Sequence, residues 1–401
     1  MSAGRVYVVG TFDTKGEELH YVANILRNKG LATITVDVST VTPAEDVDIA
    51  AHDIAAMHPG GIDAVFETSD RGVAVTAMAQ AVATYFDGRT DVLGMLALGG
   101  SGGTTITSAA MRALPVGVPR LIVSTVASGE TSSYIGISDI TMMYSVTDIA
   151  GLNRLSRKIL ANAANGLAGM VTSDDPPTSI EDHPAIGLTM FGVTTPGVQK
   201  LTAYLKADFD CHVFHANGPG GRAFEALITA KMLEAMVDVT TTEIADHLMG
   251  GVCTAGPARL DALASTGIPW IGSCGALDIV NFGPRASVPE RYAERLLHVH
   301  NPSVTLMRTS PEENVLIGKW LASKLNASPG VVHLVLPEGG LSMLDAPGNP
   351  FWDPVANAAL FDTLEANFNI SDTHHLHRIP HHVNDDGFAH TMDTFTRQTL
   401  S

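Results

Sequence analysis

The stretch LALGGSGGTT, Leu96–Thr105, decides the fold class. A short apolar run reaches Gly99 and Gly100, continues through Gly102 and Gly103, and passes into a helical pattern over Gly103–Ala113. A buried strand that turns through glycine into a helix is one half of a strand–helix–strand unit. The same order recurs on both sides of it. Arg5–Gly10 reads as a strand and Glu17–Asn28 as a helix, with Leu19, Val22, Ala23 and Leu26 on one face. Ala32–Val38 reads as a strand, Ala64–Glu67 as a strand before a helix over Arg71–Phe86, and Leu121–Thr125 as a strand. This alternation predicts a parallel sheet with helices on both faces.

The segment VTSDDPPTSIEDH, Val171–His183, is acidic and carries two adjacent prolines, so it reads as a linker. It divides the chain into residues 1–180 and 181–401. Strand and helix then start again: Pro184–Phe191, Pro196–Lys206, Cys211–His215 and Gly220–Ala230. Further on, Pro311–Leu325 and Pro354–Asn367 read as helices and Val331–Leu336 as a strand. GTFDTKGEEL at Gly10–Leu19 lines up with GVTTPGVQKL at Gly192–Leu201. Leu96–Ser124 also resembles His247–Ser273, each with a Gly-Gly turn and a later Gly-x-Pro. The expected fold is α/β, with two Rossmann-like parallel-sheet domains. Their likeness has two sources to choose between, an internal duplication or the general similarity of such halves.

The 401 residues allow two or three domains at roughly 150 residues each. Apolar residues make up 45% and charged residues 16%, which excludes a disordered chain. Net charge is −18, from 24 basic and 42 acidic residues. That balance argues against nucleic acid and against an anionic membrane surface, both of which need clustered Lys and Arg. It leaves room for a nucleotide, because a few backbone amides hold phosphate locally. The sequence has 3 cysteines without a CxxC pair, no signal-peptide core and no long apolar run. A cytoplasmic protein with reduced thiols is expected.

Six loops carry polar chemistry. The glycine loop Gly99–Thr104 leaves free amides at a helix start, with the hydroxyls of Ser101 and Thr104 beside them, and fits phosphate. It is not a Walker A loop, since no lysine follows the glycines. GTFDTKGEE, Gly10–Glu18, places Thr11, Asp13 and Lys15 after the first strand. Lys15 suits a phosphate and Asp13 suits Mg²⁺, while Thr14 with Glu17 also fits a capping box. FHANGPGGRAFE, Phe214–Glu225, brings His215, Gly218, Gly220, Gly221 and Arg222 to another strand–helix turn, a second anion or substrate site. GSCGALDIVNFGP adds Asp278, and also Cys274, for which no base is identifiable. HNPSVTLMRTSPEEN adds Arg308, with Ser310 and Glu313 set to cap the next helix. The Gly- and Pro-rich stretch Pro337–Pro354 is long for a turn and reads as a lid or a subunit contact. The histidines after Thr373 fit no standard zinc spacing.

TFDTKGEE, GGSGGT, MYSVTDIAGLN (Met143–Asn153), FHANGPGGRAFE, GALDIVNFGP, HNPSVTLMRT and PFWDP (Pro350–Pro354) occur in the order in which they stand in the Tm-one-like ATP-binding domain family. The chain resembles that family over essentially its whole length. The resemblance implies two α/β domains, an ATP site and a homodimer. A plant member carries a further C-terminal barrel. No barrel is expected after the helix at Asp386–Leu400, so antiviral activity is not carried over. Asn217 departs from the threonine-like residue usual in the family's second loop.

Two function classes follow. One is an ATP-dependent enzyme acting on a small anionic metabolite at an interdomain cleft, with Mg²⁺ between the phosphates and Asp13. The other is a non-catalytic, nucleotide-binding dimeric module for interaction or regulation. A nicotinamide oxidoreductase is disfavoured, because no GxGxxG follows the first strand.

Overall fold

The computed structural model describes residues 4–173 and 183–400, in two compact units, Met1–Thr178 and Ser179–Ser401. Most of the stretch read as a linker lies outside the described residues.

The first unit runs β1 (Arg5–Gly10), α1 (Phe12–Asn28), β2 (Thr33–Asp37), α2 (Ala51–Ala55), α3 (Asp63–Phe66), α4 (Arg71–Phe86), β3 (Val92–Gly99), α5 (Ser101–Arg112), β4 (Arg120–Ser124), α6 (Ser132–Ile135), β5 (Thr141–Tyr144) and α7 (Arg154–Thr172). Its five strands are parallel, in the order β2-β1-β3-β4-β5. Strand β1 shows why both faces are covered. Val6 and Val8 pack with Leu19, Val22 and Leu26 of α1, while Tyr7 and Val9 pack with Met78 and Phe86 of α4. Such a strand reads as a continuous apolar run, which is what VYVV is. The run read as a strand at Ala64–Glu67 is instead the short helix α3, with Val65 buried. A four-residue apolar run does not distinguish the two states, and here helical packing on α4 decided it.

The second unit runs β6 (Ala185–Met190), α8 (Thr195–Leu205), β7 (Asp210–His215), α9 (Pro219–Thr229), β8 (Ala235–Thr240), α10 (Thr242–Met249), α11 (Asp261–Thr266), β9 (Trp270–Gly275), β10 (Ile279–Phe282), β11 (Leu297–Asn301), β12 (Val304–Arg308), α12 (Pro311–Asn326), β13 (Val332–Pro337), α13 (Pro354–Asn367), β14 (His374–Ile379) and α14 (Asp386–Leu400). Six parallel strands lie in the order β14-β13-β9-β8-β6-β7. Counted from its own first strand, this is the order of the first unit with one strand added. A small antiparallel sheet, β10-β12-β11, is inserted between β9 and β13.

The topology corrects one of the two internal alignments. Gly10–Leu19 and Gly192–Leu201 do both follow the first strand of their units. His247–Gly251 does not match the glycine loop after β3, because His247–Met249 ends helix α10 and Gly250 is its left-handed cap. The counterpart of Gly99–Thr104 in the second unit is the threonine run Thr240–Thr242 after β8.

Three histidines stack between β13, β14 and α14. Register pairs His333 with His375, and the rings of His333 and His377 both lie face to face with Phe395. Burial, with the neighbouring imidazoles, pushes His333 down from 6.5 to about 4, and burial pushes His377 down too. Below about pH 6.5 the unfolded chain therefore binds the proton first. The stack's contribution is complete above that pH and is lost as pH falls towards 4. Replacing His333 with Phe keeps a ring in the stack and removes the titration. We expect the variant to lose less melting temperature than the parent between about pH 7 and about pH 4.5. Equal losses would refute this account of the stack.

Candidate functional site

In an open sheet of this order, the crevice for a ligand lies at the carboxyl ends of the strands where the order reverses, between β1 and β3. The loops after those two strands line a crevice of about 540 Å³ in the first unit. Two helices, α1 and α5, begin at it.

The two helix starts differ. At α1 the orphan amides are satisfied internally: Phe12 N donates to Asp37 Oδ1 at 3.1 Å and Asp13 N to Ser39 Oγ at 3.1 Å. Asp37 is fully buried and also accepts from Ser39 and Ala44, so its carboxylate belongs to the fold. At α5 no side chain among the described residues caps the first turn. Its N-terminus, Gly100 to Gly103, faces the crevice. Unshared amides and the helix dipole make this the natural position for an anion. Gly99 is needed for the approach of strand to helix, since a β-carbon there would lie 2.6 Å from Thr104 N. Gly102 is different: a β-carbon would meet Val75 at 3.6 Å and Arg71 Nη2 at 3.7 Å, which is ordinary contact.

Of the residues the sequence proposed for the nucleotide, Thr11, Asp13, Lys15, Gly100, Ser101, Gly102 and Gly103 line this crevice. Gly99 and Thr104 do not. Thr104 is buried, and its hydroxyl shares a hydrogen bond with Ser124 Oγ at 2.6 Å. Lys15 breaks the helical geometry of α1 and donates to Ile149 O at 2.7 Å. Glu18 accepts from Gly151 N at 2.6 Å. These two bonds hold the segment Ser145–Gly151 against α1 and bring Asp148 to the crevice. Two residues earlier, Val146 sits at φ 65°, a region β-branched residues rarely adopt.

Sequence reasoning did not assign Arg71, Thr125 or Asp148, which also line the crevice. Asp148 stands inside the quoted motif MYSVTDIAGLN, so a signal existed. Arg71 opens α4 behind its cap Asp70 and had none, because an exposed cation at a helix start reads as solvated surface.

The second anion site looks different in three dimensions. The amides of Gly218 and Gly221 donate to Glu243 Oε1 at 2.6 and 3.1 Å. A β-carbon on Gly221 would lie 2.0 Å from the Glu243 carboxylate, so this glycine serves an internal contact. Glu243 in turn binds Arg259 Nε at 2.9 Å, and the same guanidinium holds Asp238 at 2.7 Å and Glu225 at 3.0 Å. Burial raises the Glu243 carboxyl and Arg259 opposes the rise. The anion position at α9 is thus filled by the protein's own carboxylate. Gly220 packs on the His215 carbonyl, His215 stacks on Phe191, and the exposed Arg222 reaches Thr254 O at 3.4 Å.

Arg308 and Asp278 lie elsewhere in the second unit and are buried. Arg308 donates to Phe351 O, Thr309 Oγ1 and Asn357 Oδ1 at 2.7–2.8 Å, which consumes its fork. Asp278 accepts from Ser342 Oγ at 2.7 Å. The long stretch from Pro337 to Pro354 is not an open flap, since Leu341, Ser342, Asp345 and Phe351 within it are buried. Cys274 is buried with its thiol pushed far up, which removes it as a nucleophile at neutral pH. Among the described residues no His, Cys, Asp and Glu group is arranged to hold a metal by itself, and no helix is long and apolar enough to cross a membrane.

The Glu243 clamp has a measurable consequence. Glu243→Ala strands two amides and one side of Arg259 without a partner. Such a loss costs about 3–5 kcal/mol in denaturant unfolding. A cost below about 1 kcal/mol would mean that the clamp is not needed for the fold of α9.

Residues 4–176 match the N-terminal domain, and residues 183–399 the C-terminal domain, of an uncharacterised protein family, UPF0261. A UPF0261 protein of Rhizobium meliloti is 51% identical over 385 residues, 96% of each chain. One from Clostridium tetani is 44% identical over 393 residues, 97% of each. The tomato (Solanum lycopersicum) ToMV resistance protein Tm-1(GCR237) is 39% identical over 418 residues, which span 98% of this chain and 55% of the tomato protein. With both domains matched in order, and with relatives this similar along their length, the chain belongs to the UPF0261 family.

Proposed function

We propose that the crevice between the loops after β1 and β3 binds the phosphates of a nucleotide, ATP with Mg²⁺, and that the protein uses it in an ATP-dependent reaction on a small anionic metabolite. The observation that carries this reading is the contrast between the two helix starts: α1 is capped by Asp37 and Ser39, while α5 has no side-chain cap and opens on the crevice. An uncapped helix start, with Lys15 and Arg71 lining the same crevice, suits a polyanion. Asp13 and Asp148 are oxygen donors suited to a hard cation held jointly with phosphate oxygens. The volume is within the roughly 300–1,000 Å³ range of small-molecule sites.

The rest of the chain supports one such site per chain. In the second unit the equivalent glycine loop is replaced by Thr240–Thr242, and the amides at α9 are bound to Glu243. A second anion would meet only the exposed side chains of Arg222 and His215. We include in the proposal the homodimer that the family resemblance implies, and the cytoplasmic location expected from the sparse, unpaired cysteines and the N-terminal sequence.

Calorimetric titration tests the reading. ATP with Mg²⁺ should bind with a stoichiometry near one per chain. Gly102→Val adds a side chain at the crevice without forcing the backbone, and should weaken ATP at least tenfold, about 1.4 kcal/mol. Unchanged affinity in the folded variant would reject the site. Arg222→Ala should leave ATP affinity unchanged and abolish binding of a second anionic ligand. ADP release with candidate carboxylic acids would favour the enzyme. Saturable binding without turnover would favour a nucleotide-stabilised module.

A further inference from the structure

The second unit contains a pair of acids whose polar atoms do not balance. Asp278, which follows β9, and Asp345, in the stretch between β13 and α13, are both fully buried. One oxygen of each is well served. Asp278 Oδ2 accepts from Ser342 Oγ at 2.7 Å, while Asp345 Oδ2 accepts from Leu341 N at 2.9 Å and Asn357 Nδ2 at 2.8 Å. The other oxygen of each, Oδ1, is buried and has no hydrogen-bond partner among the described residues. A buried acceptor left unpaired costs about 1–3 kcal/mol, and more when charged. Two in one neighbourhood call for a common explanation.

The surrounding charges narrow it. Arg308 of β12 is the cation facing the pair, with Nη2 3.8 Å from Asp345 Oδ1, too far for a hydrogen bond. Its donors are spent on Phe351 O, Thr309 and Asn357. His382, after β14, meets Ser342 through the serine carbonyl, at 2.9 Å. Asp353 contributes its backbone carbonyl to Arg308, while its carboxylate caps α13. Two ionised carboxylates beside one guanidinium would leave one net negative charge in the interior. One added proton makes the group neutral, and it gives an unpaired oxygen a hydrogen to donate. A metal cation would serve less well, because it would sit next to a buried guanidinium.

We propose that Asp278 and Asp345 share a single proton at neutral pH, and that this proton fastens the stretch Gly339–Trp352 to the end of β9. The pair and its arginine supply side-chain links to that stretch, Ser342 to Asp278, Leu341 N to Asp345 and Phe351 O to Arg308, beside backbone bonds such as Ala276 N to Leu341 O and Met343 N to Val193 O. When the proton leaves to water, both carboxylates of this buried neighbourhood are charged, they repel each other and the fastening weakens. Burial, and the mutual repulsion of the two carboxylates, acts in the same direction by holding Asp278 in its protonated form to unusually high pH. An acid held protonated above its unfolded value contributes stability that is present at low pH and lost as pH rises through the native value.

The test uses the full chain with Asp278→Asn, which retains a carbonyl for Ser342 and supplies permanent hydrogens for Asp345. The parent should show a protonated-carboxyl C=O stretch in the infrared at neutral pH that is missing from the variant. Hydrogen exchange in Gly339–Trp352 should rise at least about fivefold in the parent between about pH 6 and about pH 8.5, after correction for intrinsic exchange, and stay flat in the variant. Asp345→Asn serves as the second variant should Asp278→Asn fail to fold. A parent without the carboxyl band, or parent and variant with the same pH dependence in this stretch, would overturn the shared proton.

Discussion

One buried cation ties together several strands and helices of the second unit. The guanidinium of Arg259, 1% exposed, holds Asp238 of β8, Glu243 of α10 and Glu225 of α9. Each carboxylate then does further work. Glu243 binds the amides that open α9, Glu225 binds Leu260 N and Ala262 N at the start of α11, and Asp238 accepts from Thr189 and the Trp270 indole. An unsatisfied helix start or an unpaired buried carboxylate would each be expensive, and one arginine removes several such costs together. Strands β6, β8 and β9 and helices α9, α10 and α11 are tied to one another through it.

The same requirement, that the polar groups at the ends of buried strands find partners, separates the two units. Where the second unit supplies Glu243 to the glycine loop that opens α9, the first supplies Asp37 to α1 and, among the described residues, no side-chain cap to α5. Internal carboxylates close the starts of α1 and α9, whereas the glycine loop at α5 opens beside Lys15 and Arg71. The strain at Val146 and the kink at Lys15 lie at the edge of the same crevice. Both are local costs that the surrounding hydrogen bonds to Ile149 and Gly151 maintain.

Fold class was legible because parallel strands buried on both faces give continuous apolar runs, and glycine marks where those runs turn into helices. The restart of the pattern after residue 183 was visible for the same reason. The mistaken strand at Ala64–Glu67 and the mistaken pairing of Gly250–Gly251 with the glycine loop after β3 have one origin. Short apolar runs and Gly-Gly pairs occur at strand ends and at helix ends alike, and the packing partner decides between them.

The sequence by itself determined the α/β architecture, the two-part chain and the glycine loop that opens α5, because each of these is a local matter of periodicity and backbone freedom. Tertiary structure alone decided which polar loop stays open. Glu243 is 22 residues from Gly221 in sequence and Asp37 is 25 from Phe12, so nothing local announces that these carboxylates fill helix starts. Arg71 and Asp148 reach the crevice in the same way, by the crossing of strands whose order reverses between β1 and β3. Whether a glycine loop can bind a ligand depends on which side chain the rest of the fold places in front of it, and that is a property of the chain's path in space.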